Sequence, residues 1–147
     1  LALYDSMLRR GKFLYCHGAD DNHNKKPFDD YLSDSFGAWT MILAKELTYP
    51  AVMEALEKGR FYASTGPTIK ELSFQGNKVH MAFSDAVRAM MHLSPKRTVN
   101  VYNSDGSPIQ TADFQIPDGA AYVYFSLLAA DGTEACTHAF TREELGI

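Results

Sequence analysis

The stretch Lys78-Val79-His80-Met81-Ala82-Phe83-Ser84 alternates side chains with a period of two. Successive residues of an extended strand point to opposite faces, so Val79, Met81 and Phe83 face one way and Lys78, His80 and Ala82 the other. That is the pattern of an antiparallel strand buried on one side only. Working outward, Gln75-Gly76-Asn77, Ser84-Asp85, Asn103-Ser104-Asp105-Gly106, Asp118-Gly119 and Asp131-Gly132 punctuate the rest of residues 66–147. These residue types tolerate the backbone conformations of tight turns. The segments between them, 68–74, 78–84, 86–93, 97–103, 108–115, 120–129 and 133–140, have the length and spacing of strands in an antiparallel β-sandwich. Residues 66–147 lack the Cys…Trp…Cys signature of an immunoglobulin domain.

Before Gly66-Pro67 the pattern changes. Lys12-Phe13-Leu14-Tyr15-Cys16 is a short apolar run ending near Gly18, as expected of a strand buried on both faces in a parallel sheet, and Trp39-Thr40-Met41-Ile42-Leu43-Ala44 is similar. A helix follows: Thr48 can cap it, Pro50 suits its first turn, Val52, Met53 and Leu56 form an apolar stripe, Glu54 and Lys58 form an i,i+4 pair, and Gly59 can end it. The expected fold class is therefore α+β, with β/α units in residues 1–66 and an antiparallel β-sandwich domain in residues 67–147.

The chain has 147 residues, 46% of them hydrophobic and 22% charged, which is enough apolar material for a real core. Its net charge of −4 argues against nucleic acid or an anionic membrane as a partner. No apolar run approaches the roughly 20 residues that span a bilayer, and the start lacks the features of a secretory signal, so a soluble, cytoplasmic protein is expected. The opening Leu1-Ala2-Leu3, without methionine, is read as the start of a fragment or processed chain. Cys16 and Cys136 have no CxxC spacing and are expected to be buried, reduced thiols.

The densest polar constellation is His17-Gly18-Ala19-Asp20-Asp21-Asn22-His23-Asn24, directly after the first apolar run. In extended backbone Asp21 and His23 project from the same side, a carboxylate beside an imidazole, which is a usable ligand pair for Zn²⁺, Mn²⁺ or Fe²⁺. The competing reading is a loop whose Asp and Asn side chains satisfy backbone donors. Asp20 is a candidate supporting group for His23 or the loop backbone, and His17 a candidate neighbour of the same site. An EF-hand fails, because its glycine position holds Lys25 and its bidentate glutamate position holds Tyr31.

Gly18-Ala19-Asp20-Asp21-Asn22-His23-Asn24, then Phe36-Gly37-Ala38-Trp39-Thr40-Met41, Glu46-Leu47-Thr48, and the run from Ala55 through Gly59-Arg60-Phe61-Tyr62-Ala63-Ser64-Thr65-Gly66-Pro67 are similar in order and spacing to the closing portion of a PHP (polymerase and histidinol phosphatase) domain that carries an extra C-terminal β-domain. The resemblance covers residues 11–67. It implies a distorted β/α barrel with a two- or three-metal site, in which metal-bound hydroxide attacks a phosphoester substrate. The family's last motif supplies one Asp and one His, which fall on Asp21 and His23. Its other ligands would lie upstream of Leu1, so this chain is expected to be an inactive C-terminal fragment of a metal-dependent phosphoesterase, holding the divalent ion weakly or not at all by itself. Open sheet edges left by a partial barrel favour self-association as a homo-oligomer.

Other residues carry less. Asp29, Asp30 and Asp34 form an acidic run read as a solvated loop. His80 and His92 fall on outward strand faces without a convincing third ligand, and His138 is read as a satisfied structural histidine. Ser64-Thr65-Gly66-Pro67 is read as a domain-joining turn, and Tyr102, Tyr122 and Tyr124 as core or cross-strand aromatics. The rival function is a non-catalytic binding or packing module centred on the sandwich.

Overall fold

A computed structural model describes residues 2–147. Helix α1 (Ala2–Arg9) comes first, then β1 (Trp39–Ile42), α2 (Tyr49–Glu57) and β2 (Phe61–Ser64). The remaining elements are β3 (Ile69–Gln75), β4 (Lys78–Ala86), β5 (Arg88–Leu93), β6 (Arg97–Val101), β7 (Ile109–Gln115), β8 (Tyr122–Leu128), β9 (Glu134–Thr137), β10 (Phe140–Thr141) and α3 (Arg142–Leu145). They build two antiparallel sheets. One runs β1-β2-β9-β8-β5-β6, with β10 also on β8, and the other runs β3-β4-β7. No helix among the described residues is long and apolar enough to cross a membrane.

Alternation sets which side chains meet between the sheets. Val79, Met81 and Phe83 of β4, with Ala112 and Phe114 of β7, face Ala89, Met91 and Leu93 of β5 and Val123, Phe125 and Leu127 of β8. Phe125 is fully buried, and its ring lies 5.7 Å from Phe114 and 6.1 Å from Phe74. Each Val, Leu, Met or Phe side chain among them contributes about 1.5–3 kcal/mol by leaving water. The outer face of the larger sheet is partly covered as well, because Tyr4 and Leu8 of α1 pack on Tyr122, Tyr124, Cys136 and Ala139. The Tyr4 hydroxyl accepts from the Ala139 N–H at 2.8 Å and donates to the Leu14 carbonyl at 3.0 Å, tying helix, loop and sheet together.

β9 and β10 are one strand with a bulge. The register of β9 on β8 (Ser126↔Cys136) slips by one residue before β10 (Val123↔Phe140). There the Thr137 hydroxyl takes the Phe125 N–H at 3.0 Å in place of a backbone carbonyl.

The expectation of β/α barrel units in the first part of the chain is corrected. Residues 12–16 form no strand, and Phe13, Leu14 and Tyr15 are about half exposed. Their apolar run meets the pattern of a buried strand, but a strand needs a hydrogen-bonding neighbour, and among the described residues no strand pairs with it. β1, α2 and β2 do not form a parallel crossover. The Leu43 N–H bonds the Arg60 carbonyl at 2.8 Å, so the chain returns beside its point of departure, and Ile42 pairs Phe61 in an antiparallel register. α2 forms where its signals place it, with Pro50 in the first turn and Gly59 at φ 66° after its end, but Ala55 is its one buried residue. The Thr48 hydroxyl donates to Glu46 rather than capping the helix. β2 then pairs β9, so residues before Gly66-Pro67 extend the larger sheet.

Candidate functional site

Two strong local constraints fix where residues 17–24 leave the sheet. The Gly18 N–H donates to the Thr40 hydroxyl, which in turn donates to the Gly18 carbonyl, each at 3.0 Å, anchoring the loop to β1. A Cβ on Gly18 would sit 2.4 Å from the Trp39 carbonyl oxygen, so only glycine permits this approach.

Beyond that anchor, residues 20–24 are laced to residues 34–36. Asp20 accepts from the Phe36 N–H at 2.6 Å, and Asp34 accepts from the His23 N–H at 2.8 Å. Asn22 donates its side-chain amide to Ser35 and accepts the Asn24 N–H. These are the local side-chain-to-backbone bonds by which Asp and Asn stabilise irregular backbone. Phe36 and Asn24 both have positive φ, as does Asp21 at 53°. The left-handed turn at Asp21 means that residues 21–23 are not extended, and alternation does not set the relative direction of the Asp21 and His23 side chains.

Both of those side chains are exposed, and among the described residues neither makes a hydrogen bond. The His23 imidazole, 55% exposed, has its Nδ1 3.8 Å from Oδ2 of Asp34. The Asp34 carboxyl is held below the usual carboxylate range, first by the His23 N–H and further by the nearby His23 ring and Lys25. Asp20 thus supports the loop backbone, and His17 is exposed without a partner among the described residues. Asp34 is the group that sequence reasoning set aside in a solvated acidic run. Its position eleven residues after His23 gave no periodic signal. A carboxylate and an imidazole are the right donors for a borderline divalent ion, but among the described residues no three His, Cys, Asp or Glu side chains come together to hold one.

The other histidines separate. His80 of β4 pairs Asp113 at 2.7 Å on the outer face of the smaller sheet. His92 of β5 lies on the outer face of the larger one, stacked on Tyr124 at 4.4 Å, with its Nε2 2.8 Å from the Ser126 hydroxyl and its Nδ1 3.2 Å from the Thr98 hydroxyl. Ser126 is fully buried, and burial lowers the His92 pKa, so this pair is a satisfied polar contact within the sheet. His138 is 7% exposed and its Nδ1 has no partner among the described residues, which departs from the satisfied histidine expected. Cys136 is buried and Cys16 partly so; both are free, and burial pushes the Cys136 thiol up to about 12. Ser64-Thr65-Gly66-Pro67 carries the chain from one sheet to the other, with the Ser64 hydroxyl donating to the Pro67 carbonyl at 2.7 Å. Tyr122 and Tyr124 are buried beneath α1, whereas Tyr102 is exposed under the Arg88 guanidinium.

No family model, no curated protein and no solved structure matches this chain.

Proposed function

We propose that the chain is one part of a metal-dependent hydrolase acting on phosphoesters, with Asp21 and His23 as two of its metal ligands. The observation that carries this reading is the loop itself. An exposed carboxylate and an exposed imidazole, both without hydrogen-bond partners, stand on a backbone braced by Asp20 and Asp34. A carboxylate without a partner among the described residues, and an imidazole held only by the 3.8 Å approach of Asp34, suit ligands whose metal is completed elsewhere. The resemblance of residues 11–67 to the PHP family supplies the reaction class. Zn²⁺, Mn²⁺ or Fe²⁺ would suit the mixed donors, and three or four protein ligands are the usual need, so further ligands come from groups outside this pair.

The test is calorimetric titration of Zn²⁺ and Mn²⁺ into this chain and into an Asp21→Ala/His23→Ala variant, together with hydrolysis of p-nitrophenyl phosphate. Weak binding that disappears in the variant, without turnover, is expected. Identical heats for the two proteins remove the ligand assignment, and turnover that survives the double substitution removes the site.

A second reading is a binding or packing module. It is favoured by the placement of exposed apolar side chains: Leu3, Phe28, Tyr31, Phe36, Leu47 and Tyr49 all lie before β2 and are more than two-thirds exposed. Surfaces of this kind mark contact with another protein surface, including a second copy along the uncharged β1 edge.

A further inference from the structure

The two layers of the sandwich are unequal: β1-β2-β9-β8-β5-β6 stand abreast in one, and only β3-β4-β7 in the other. β1 and β2 therefore overhang the β3 edge, and the Tyr62 hydroxyl accepts the Ile69 N–H at 2.9 Å where the layers part. The overhang opens a groove of about 710 Å³, walled by Met41, Ile42, Leu72, Phe74 and Phe140. This is the size and character of a small-molecule site.

The charges of the groove are not those of the whole chain. In a protein of net charge −4, its walls carry Lys58, Arg60 and Lys70 against Glu71 and Glu144. The Glu144 carboxylate is already committed to capping α3, accepting from the Thr141 N–H at 2.7 Å. Lys58 and Arg60 share one carboxylate, Glu54, at 2.6 and 3.8 Å, so these three side chains together carry one net positive charge. The pairing of Tyr62 with Thr137 brings His138 to the same end. There a buried imidazole with an unpartnered ring nitrogen forms part of the wall, and a buried polar atom without a partner is rare in a finished site.

We propose that this groove binds a small amphipathic anion, with its apolar body along Met41, Leu72 and Phe74 and its carboxylate head at the Lys58–Arg60 end beside His138. The site is separate from the loop carrying Asp21 and His23 and needs no metal. Arg60 offers the stronger contact, because its guanidinium can take a carboxylate through two hydrogen bonds.

The experiment is calorimetric titration of decanoate, decan-1-ol and decylamine into the full chain, each below the concentration at which it aggregates. Saturable one-to-one binding of decanoate, at least about tenfold tighter than either analogue, is expected. Arg60→Gln should weaken decanoate about tenfold and leave decanol unchanged. Met41→Trp, at a half-exposed position that circular dichroism can check for folding, should reduce decanoate binding by filling the groove. Absence of saturation at millimolar decanoate, equal binding of decanol or decylamine, or decanoate affinity unchanged by Arg60→Gln would each overturn the proposal.

Discussion

One carboxylate oxygen, Oδ2 of Asp34, takes the backbone N–H of His23 at 2.8 Å and stands 3.8 Å from the imidazole of the same residue. Backbone position and ring are thus restrained by a single side chain from the far arm of the loop. Asp34→Ala should raise amide hydrogen exchange at His23 at least about tenfold, while Asp34→Asn, which keeps an acceptor, should restore part of the protection. The thermal midpoint should hardly move in either variant, because the loop adds nothing to the core. The sign with pH follows from the lowered carboxyl: the ionised form, and with it the restraint, is complete above the ordinary value of 3.8 and is lost as pH falls through the lower folded value. Exchange at His23 measured between pH 3 and pH 7 checks this, and loss of protection already at pH 5 contradicts it.

Two other histidines make the sandwich itself sensitive to acid. Burial lowers the pKa of both His92 and His138, with Asp5 partly offsetting it at the first and Glu144 and the Phe61 carbonyl at the second. The unfolded chain then takes up protons near 6.5 while the folded chain resists. Stability is full above that value and declines as pH falls below it, until the depressed folded values are reached. The thermal midpoint should drop between pH 7 and pH 5, and the drop should shrink in His92→Gln and again in His92→Gln/His138→Gln. A midpoint that rises over this range would reverse the assignment.

Why the second half of the chain was legible and the first was not is a matter of where the information lies. Val79, Met81 and Phe83 announce a half-buried strand because their neighbours alternate and their turns are chemically explicit, and β4 runs over Lys78–Ala86 as that pattern requires. Phe13-Leu14-Tyr15 satisfies an equally good local pattern, but its partner strand is not specified by anything local. Phe13 and Tyr15 instead pack by their rings, Phe13 against Tyr122 and Tyr15 against Phe61 and His138. The same holds at the candidate site. Asp21 and His23 stand out by type and spacing, whereas the contact of Asp34 with His23 follows no helical or strand period, and the overhanging groove arises from contacts between distant segments that no window of sequence contains. Even the direction of Asp21 depends on a left-handed turn at a residue other than glycine.

The passage between the sheets depends on a contact that leaves no room for a methyl group. A Cβ on Gly66 would lie 2.1 Å from the Thr133 hydroxyl oxygen and 2.6 Å from the Thr133 Cβ. Thr133 cannot swing away freely, because its hydroxyl donates to Asp131 at 2.6 Å and its N–H to the same oxygen at 2.9 Å. Gly66→Ala should therefore destabilise by about 1–3 kcal/mol, the usual cost of overpacking. Thr133→Ala should not rescue it, since the offending Cβ remains, whereas Thr133→Gly should recover part of the loss. Urea midpoints of the single and double variants test this, and full rescue by Thr133→Ala would show that the hydroxyl alone is responsible.

The core and the exposed apolar belt should respond oppositely to polar or smaller residues. Phe125 is fully buried between the sheets, with the rings of Phe74, Phe114 and Phe140 around it. Phe125→Ala removes that filling and leaves a cavity, so it should cost about 3–5 kcal/mol and lower the thermal midpoint by about 10 °C. Leu47 is 97% exposed and Phe36 72%, and neither supports the sandwich core. Leu47→Ser/Phe36→Ser should leave the midpoint within about 2 °C, because surface substitutions away from packed features rarely exceed about 0.5 kcal/mol. What this variant should change is association: light scattering at rising concentration should report less self-assembly than for the parent chain. A midpoint that falls in the serine variant as far as in Phe125→Ala would mean that Leu47 and Phe36 support the core rather than form a contact surface.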